Sequence, residues 1–171
     1  MAYLIVLLAV LARFLPHTVN FSPVYGALLW GGARLKSRDF LWFPVALLAL
    51  SDVVLCLTVY HTPVGRIQAV LCVAYAAVAI IGRGLRKRVS LVRLIGSSVA
   101  AAVAFFLISN FAVWLGWRVY PATLRGLIDC YVAAVPFFRF TLESTLLYAG
   151  LLFGGELLYT RRLARTVAPQ S

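Results

Sequence analysis

The run from Leu91 to Trp117 carries a single charged residue, Arg93. A hydrocarbon core of about 30 Å needs about 20 helical residues to cross it. This stretch is therefore long enough to span a bilayer and too apolar to be wetted as a surface helix. Phe40–Tyr60 and Thr141–Tyr159 approach the same length, and Ile67–Gly82 is somewhat short but uninterrupted. These runs are the rule in this chain. Of its 171 residues 63% are hydrophobic and 12% charged, whereas a soluble domain carries roughly 45–50% and about 25%. Too few polar residues remain to cover a water-facing globule.

Two weaker segments precede these runs. Ala2–Leu15 and Val24–Leu35 would reach only about 18–21 Å as helices, so they are expected as short spans or as a helical hairpin shielded by its neighbours. Met1 to Ala12 is apolar, yet no basic segment precedes it, no cleavage signature follows it, and Arg13 interrupts it; it is taken as part of the mature chain. Leu127–Phe138 contains Asp129 and Pro136 and is too short to span. It is expected to lie across the outer face as an amphipathic or re-entrant helix. The fold class that results is an all-α integral membrane protein, a single domain over 1–171. It has about six transmembrane helices, the first two short.

Charge orients the bundle. Sixteen basic residues against five acidic ones give +11, which in a soluble chain would suggest a nucleic-acid partner. In a membrane chain the same excess gathers in cytoplasmic loops and faces anionic lipid, and no nucleic-acid partner is expected. Loops 34–39 and 83–93 and the tail 160–171 hold Arg34, Lys36, Arg38, Arg83, Arg86, Lys87, Arg88, Arg93, Arg161, Arg162 and Arg165. The opposite side keeps only Arg13, Arg66, Arg118, Arg125 and Arg139. This asymmetry predicts a multi-pass protein of a bacterial inner membrane with both termini cytoplasmic.

Polar groups at bilayer depth are costly and normally face a partner or a cavity. Asp52, inside ALLALSDVVL, is expected either in an ion pair with Arg13 or Arg139 or in a ligand site. Asn110 lies in the outer half of the fifth segment, and Trp114 follows one turn later on the same face. Arg139 and Glu143 stand four apart at the outer start of the sixth segment, where they can pair on one helix face. His17, Asn20 and His61 fall on outer loops. Asp52, Asn110, Trp114, Arg139, Glu143, His17 and Asn20 are thus the candidate ligand-binding residues, grouped around an outward-facing polar cavity. Near the inner end, Glu156 is expected to meet a tail arginine. Cys56, Cys72 and Cys130 are scattered and read as packing residues. Two histidines 44 positions apart, with no ligand cluster, predict no metal site. The absence of HExxH, GxSxG, phosphate-loop and GxGxxG motifs predicts no catalytic residues. Small residues one turn apart, Gly150/Gly154, Ala27/Gly31 and Ser98/Ala102, are candidates for close helix packing.

Four stretches carry a family resemblance. ARFLPHTVNFSPVYGALLWGGARL (Ala12–Leu35), ALLALSD ending at Asp52, SNFAVWLGWRVYPATLRGL (Ser109–Leu127) and CYVAAVPFFRFTLESTLLYAGLLFG (Cys130–Gly154) resemble an uncharacterised bacterial membrane family linked to transport. That family is in turn similar to the S components, the substrate-capture subunits of energy-coupling-factor transporters. The resemblance implies six helices and capture of a vitamin or metal ion from the outer face. It also implies docking to a transmembrane coupling subunit with two ATPases, through small residues four apart on the first helix. Here Ala9 and Ala12 stand three apart instead, and no particular vitamin's binding signature is matched. The expected partners are therefore the bilayer, a small-molecule ligand, and either a coupling and ATPase module or a larger membrane complex. The expected function is small-molecule uptake, with a structural accessory subunit of such a complex as the alternative.

Overall fold

The computed structural model describes residues 2–15, 20–117 and 119–167. Among these the chain is all-helical. Helix α1 (Ala2–Leu11) runs into a single 3-10 turn, Ala12–Phe14, and is followed by α2 (Val24–Arg34), α3 (Trp42–Thr58), α4 (Arg66–Arg83), α5 (Leu91–Trp117) and α6 (Leu124–Val167).

Helix α2 is the axis of the molecule. Every residue from Val24 to Ala33 is buried, as befits a helix hydrophobic on all sides. Its glycines explain how so short a helix, about 17 Å at 1.5 Å per residue, is enclosed so completely. A Cβ on Gly32 would lie 2.1 Å from the carbonyl oxygen of Ala79 in α4, and one on Gly82 of α4 would lie 2.2 Å from that of Leu29. The two helices thus touch backbone to backbone through reciprocal glycines, a contact open only to residues without a side chain. Gly26 does the same against α6, where a Cβ would meet the backbone nitrogen of Ala149 at 2.6 Å.

The small-residue expectation needs correcting on α6. Gly150 and Gly154 have nothing within 4 Å of a notional Cβ. The face of α6 that packs inward is Thr141, Thr145, Ala149 and Phe153, spaced four apart and all buried. Gly150 and Gly154 each stand one residue later, about 100° further round the helix, and so face outward. Ala27 with its partner Gly31, and Ser98 with Ala102, are buried as expected, although the Ser98 hydroxyl finds no hydrogen-bond partner among the described residues.

A second correction concerns Leu127–Phe138, which is not a separate lying helix. It forms the first part of α6, a continuous helix of 44 residues, about 66 Å long at 1.5 Å per residue. No glycine lies between Tyr131 and Tyr148 to stop it. Pro136 withholds the N–H that would reach the carbonyl of Val132 and crowds that carbonyl with its ring, yet the helix runs on through it. The expected span Thr141–Tyr159 is the middle of this same helix.

Two helices, Arg66–Arg83 and Leu91–Gly116, are long and apolar enough to cross a membrane, while Ala2–Phe14 and Trp42–Thr58 are apolar but shorter. Much of their apolar surface points outward: Leu91 is 73% and Val92 81% exposed. Large aliphatic side chains exposed in such number need an apolar medium or a partner. At the end of the bundle where α2 and α4 finish, Glu156, expected to meet a tail arginine, meets Arg34 of α2, with Arg34 Nε 2.7 Å from Glu156 Oε1. Its carboxylate also accepts from Trp30 Nε1 at 3.0 Å. The turn of α6 that carries Glu156 continues the stripe facing α2, so the carboxylate is delivered to the buried helix.

Candidate functional site

Helix α3 buries Leu48, Ser51, Asp52, Leu55 and Cys56, the i, i+3, i+4, i+7, i+8 stripe that is the signature of one helix face. Two members of that stripe are polar. Helix α4 buries Ala74, Tyr75, Val78, Ala79 and Gly82 on a stripe of the same spacing, with one hydroxyl in it. The 3-10 turn after α1 supplies Arg13, whose guanidinium reaches between them. It donates to Ser51 Oγ at 2.7 Å and to Asp52 Oδ1 at 2.6 Å. The other carboxylate oxygen of Asp52 accepts from the Tyr75 hydroxyl at 2.9 Å. Asp52 is thus paired with Arg13, and three elements are tied together by one carboxylate. Its side chain is 7% exposed, against 19% for Arg13, so the arginine is the partner turned toward open space.

That open space is a set of adjoining cavities, all three with Arg13 and Tyr60 in their walls. The largest, about 850 Å³, is lined by Asp52, Gln68 and the segment 62–67, which leads into the first turn of α4. A second of about 480 Å³ adds Asn20, Ser22, Tyr25 and Tyr75. The third, about 380 Å³, runs toward α5 and α6 and is lined by Phe105, Asn110, Phe138 and Thr141. Aromatic rings build the inner wall: Phe105 stands 4.6 Å from Tyr25 and 6.1 Å from Tyr75, centroid to centroid. Gln68 braces the mouth, accepting the Gly65 N–H at 2.7 Å and donating to Cys56 Sγ at 3.1 Å.

The expected site residues divide three ways. Asp52, Asn20 and Asn110 line this hollow. Asn20 holds φ at 62°, a left-handed conformation that Asn tolerates better than most residues, and this places it at the rim. Asn110 gives its amide to the Phe106 carbonyl of its own helix at 2.7 Å. Trp114, Arg139 and Glu143 stand outside the hollow. Trp114 Nε1 donates to the Pro121 carbonyl at 3.0 Å and fastens the end of α5 to the following loop. Arg139 and Glu143 are exposed and unpaired with each other; the Arg139 guanidinium lies over the Phe140 ring, 4.5 Å from its centroid. His17 lies outside the described residues, and His61 is exposed with φ at 49°.

Sequence reasoning placed Arg13 only as a possible counter-ion and left out Tyr25, Tyr60, Tyr75 and Gln68. Two signals pointed to them. Arg13 is the one charge in the apolar stretch Ala2–Leu15, and Tyr75 interrupts the aliphatic run VAYAAVAII. Among the described residues no group of His, Cys, Asp and Glu is arranged to hold a metal ion. The chemistry on offer is recognition. Two of the five guanidinium N–H donors of Arg13 are engaged by Ser51 and Asp52, and a guanidinium fork suits a planar acceptor such as a carboxylate. The aromatic wall offers flat apolar area beside it.

An all-helical chain with apolar outer faces and a polar hollow at one end is the class these observations define. Over residues 1–168 the chain matches the Family of unknown function (DUF6580), and it belongs to that family. No curated protein and no solved structure matches it.

Proposed function

We propose that this chain is a multi-pass membrane protein that captures a small molecule in the hollow around Arg13, in the manner of a substrate-binding uptake subunit. The observation that carries the reading is the Arg13–Asp52 pair set in the wall of an 850 Å³ cavity, a volume typical of small-molecule sites. Taking such a pair out of water costs free energy, and an apolar replacement would pack as well, so its retention beside open space favours binding over packing. The ligand suited to it has a carboxylate or comparable acceptor for Arg13 and a flat or aliphatic body for Tyr25, Tyr60 and Phe105. All six helices lie within or along the bilayer in this reading. The loops after α2 and α4 and the end of α6, rich in Arg and Lys, face the cytoplasm, and the hollow faces outward.

Purification in mild detergent followed by mass spectrometry of released small molecules tests the proposal. Wild-type protein is expected to carry a ligand, and Tyr60→Ala, an exposed position common to all three cavities, is expected to lose it while melting where ligand-free wild type melts. A ligand-free wild-type sample, with no thermal shift across organic acids, vitamins and metal ions, overturns it.

A second reading, a structural subunit of a larger membrane complex, is favoured by the full internal pairing of Asp52 and by the outward Gly150 and Gly154. Comigration with a large assembly after gentle solubilisation, disrupted by Gly150→Leu, would select it.

A further inference from the structure

At the end of the bundle opposite the hollow, two guanidinium groups converge on one neutral oxygen. Arg83, the last residue of α4, and Arg86, in the α4–α5 loop, both donate to the Ser37 hydroxyl in the α2–α3 loop, Arg86 at 2.7 Å. Arg83 is fixed in place: it also donates to the carbonyls of Gly32 and Leu35 at 3.3 and 3.2 Å and lies 4.6 Å over the Phe40 ring. Both lone pairs of Ser37 are thereby used, and its own hydroxyl proton is left to point away from the cations. Like charges this close ordinarily share a carboxylate. The one acid of the α2–α3 loop, Asp39, is committed elsewhere, accepting from the Tyr3 hydroxyl and from Trp42 Nε1. Those bonds, first that of Tyr3, hold its carboxyl below the usual range.

We propose that Ser37, Arg83 and Arg86 form a binding site for the phosphate of an anionic phospholipid. Guanidinium forks and a hydroxyl donor are the groups that hold phosphate oxygens, and basic pockets between helices at the cytoplasmic level bind anionic headgroups. The surroundings favour a lipid over a free anion. Trp42 and Leu91 are exposed at the starts of α3 and α5, at the ends of the two loops that carry the site, where an acyl chain would lie. The proposal rests on the chain lying in a membrane and is independent of whether the hollow around Arg13 binds anything.

The test is thermal unfolding of protein delipidated in a neutral maltoside detergent, titrated with dioleoylphosphatidylglycerol, dioleoylphosphatidylcholine or inorganic phosphate. Phosphatidylglycerol is expected to raise the melting temperature where the other additions do not. Arg86→Gln should weaken its apparent affinity about tenfold, the scale of one charge-assisted contact, and Ser37→Ala should weaken it less. Arg161→Gln, which removes the same charge from the exposed end of α6, should leave the affinity unchanged. Equal stabilisation by phosphatidylcholine, survival of the effect in both site variants, or an equal loss in Arg161→Gln overturns the site. Inorganic phosphate matching phosphatidylglycerol overturns its assignment to a lipid. Melting of Arg86→Gln without lipid serves as its folding control, and Ser37→Ala carries the test should that variant melt early.

Discussion

Helices α2 and α4 run side by side, yet their two ends are built on opposite principles. Toward the basic loops, Gly32 meets Ala79 and Gly82 meets Leu29 with no side chain between the backbones. Toward the other end, Tyr25 and Tyr75 stand where glycines stood, with Phe105 of α5 against both, and the helices enclose cavities instead of touching. The two ion pairs follow the same division. Arg13–Asp52 lies inside the hollow, with the carboxylate 7% exposed, whereas Arg34–Glu156 sits at the closed end with its carboxylate 32% exposed. Small residues close a bundle and leave no space to fill; rings and a tethered arginine hold it open.

The largest effect is expected at the open end. Asp52→Ala leaves Arg13 inside the protein with only Ser51 to answer it, and breaking a buried pair from one side costs about 3–5 kcal/mol. The variant should lose most of its folded fraction in a detergent denaturation series. Arg13→Met combined with Asp52→Leu removes both charges and should recover much of that loss. If Asp52→Ala melts no earlier than a Glu156 variant, the two ends do not differ as described.

At the closed end, Gly32→Ala and Gly82→Ala drive a methyl group into backbone that cannot yield as a side chain would. Overpacking of this kind costs about 1–3 kcal/mol. On α6, Gly150→Ala meets open space and should be neutral or stabilising by up to about 1 kcal/mol, through helix propensity alone. Thermal melts of the three variants in one detergent give the ranking. Equal losses for Gly150→Ala and Gly32→Ala would mean that α6 is closely packed on its glycine face, by a second copy or another subunit.

Much of this contrast was legible in the sequence, and the part that was not has identifiable causes. The α-helical class and the one-sided distribution of Arg and Lys follow from runs such as Leu91–Trp117 and from loops 34–39 and 83–93. Asp52 could be assigned a partner or a cavity from burial cost alone, and Arg13 was one of two partners within reach. What periodicity cannot supply is which helix lies opposite. Gly150/Gly154 and Ala27/Gly31 are alike as patterns, and only the inward stripe Thr141–Thr145–Ala149–Phe153 shows that the pair on α6 is left facing outward. Continuity of α6 through Pro136 was hidden because proline signals a break, while the residues around it, Ala134 and Phe137 among them, favour the helix or at least do not oppose it. Trp114, Arg139 and Glu143 share the level of the hollow in sequence, but helix rotation turns them away from it.

The smallest effect separates the two ion pairs. Glu156 holds Arg34 from both carboxylate oxygens, and Arg34 also rests 5.4 Å over the Phe153 ring. Glu156→Gln removes the charge but keeps an oxygen to accept from Trp30, and with a third of the carboxylate exposed water can screen what remains. The expected cost is under about 1 kcal/mol, and it should shrink further as salt is raised. The loss in Asp52→Ala should hardly depend on salt, because ions do not reach an interior pair. Melting temperatures of the two variants at low and high ionic strength make the comparison: a strong salt dependence in Asp52→Ala would place Arg13 in open solvent and turn the hollow into a surface groove, whereas a salt effect confined to Glu156→Gln fixes the open end as the enclosed one.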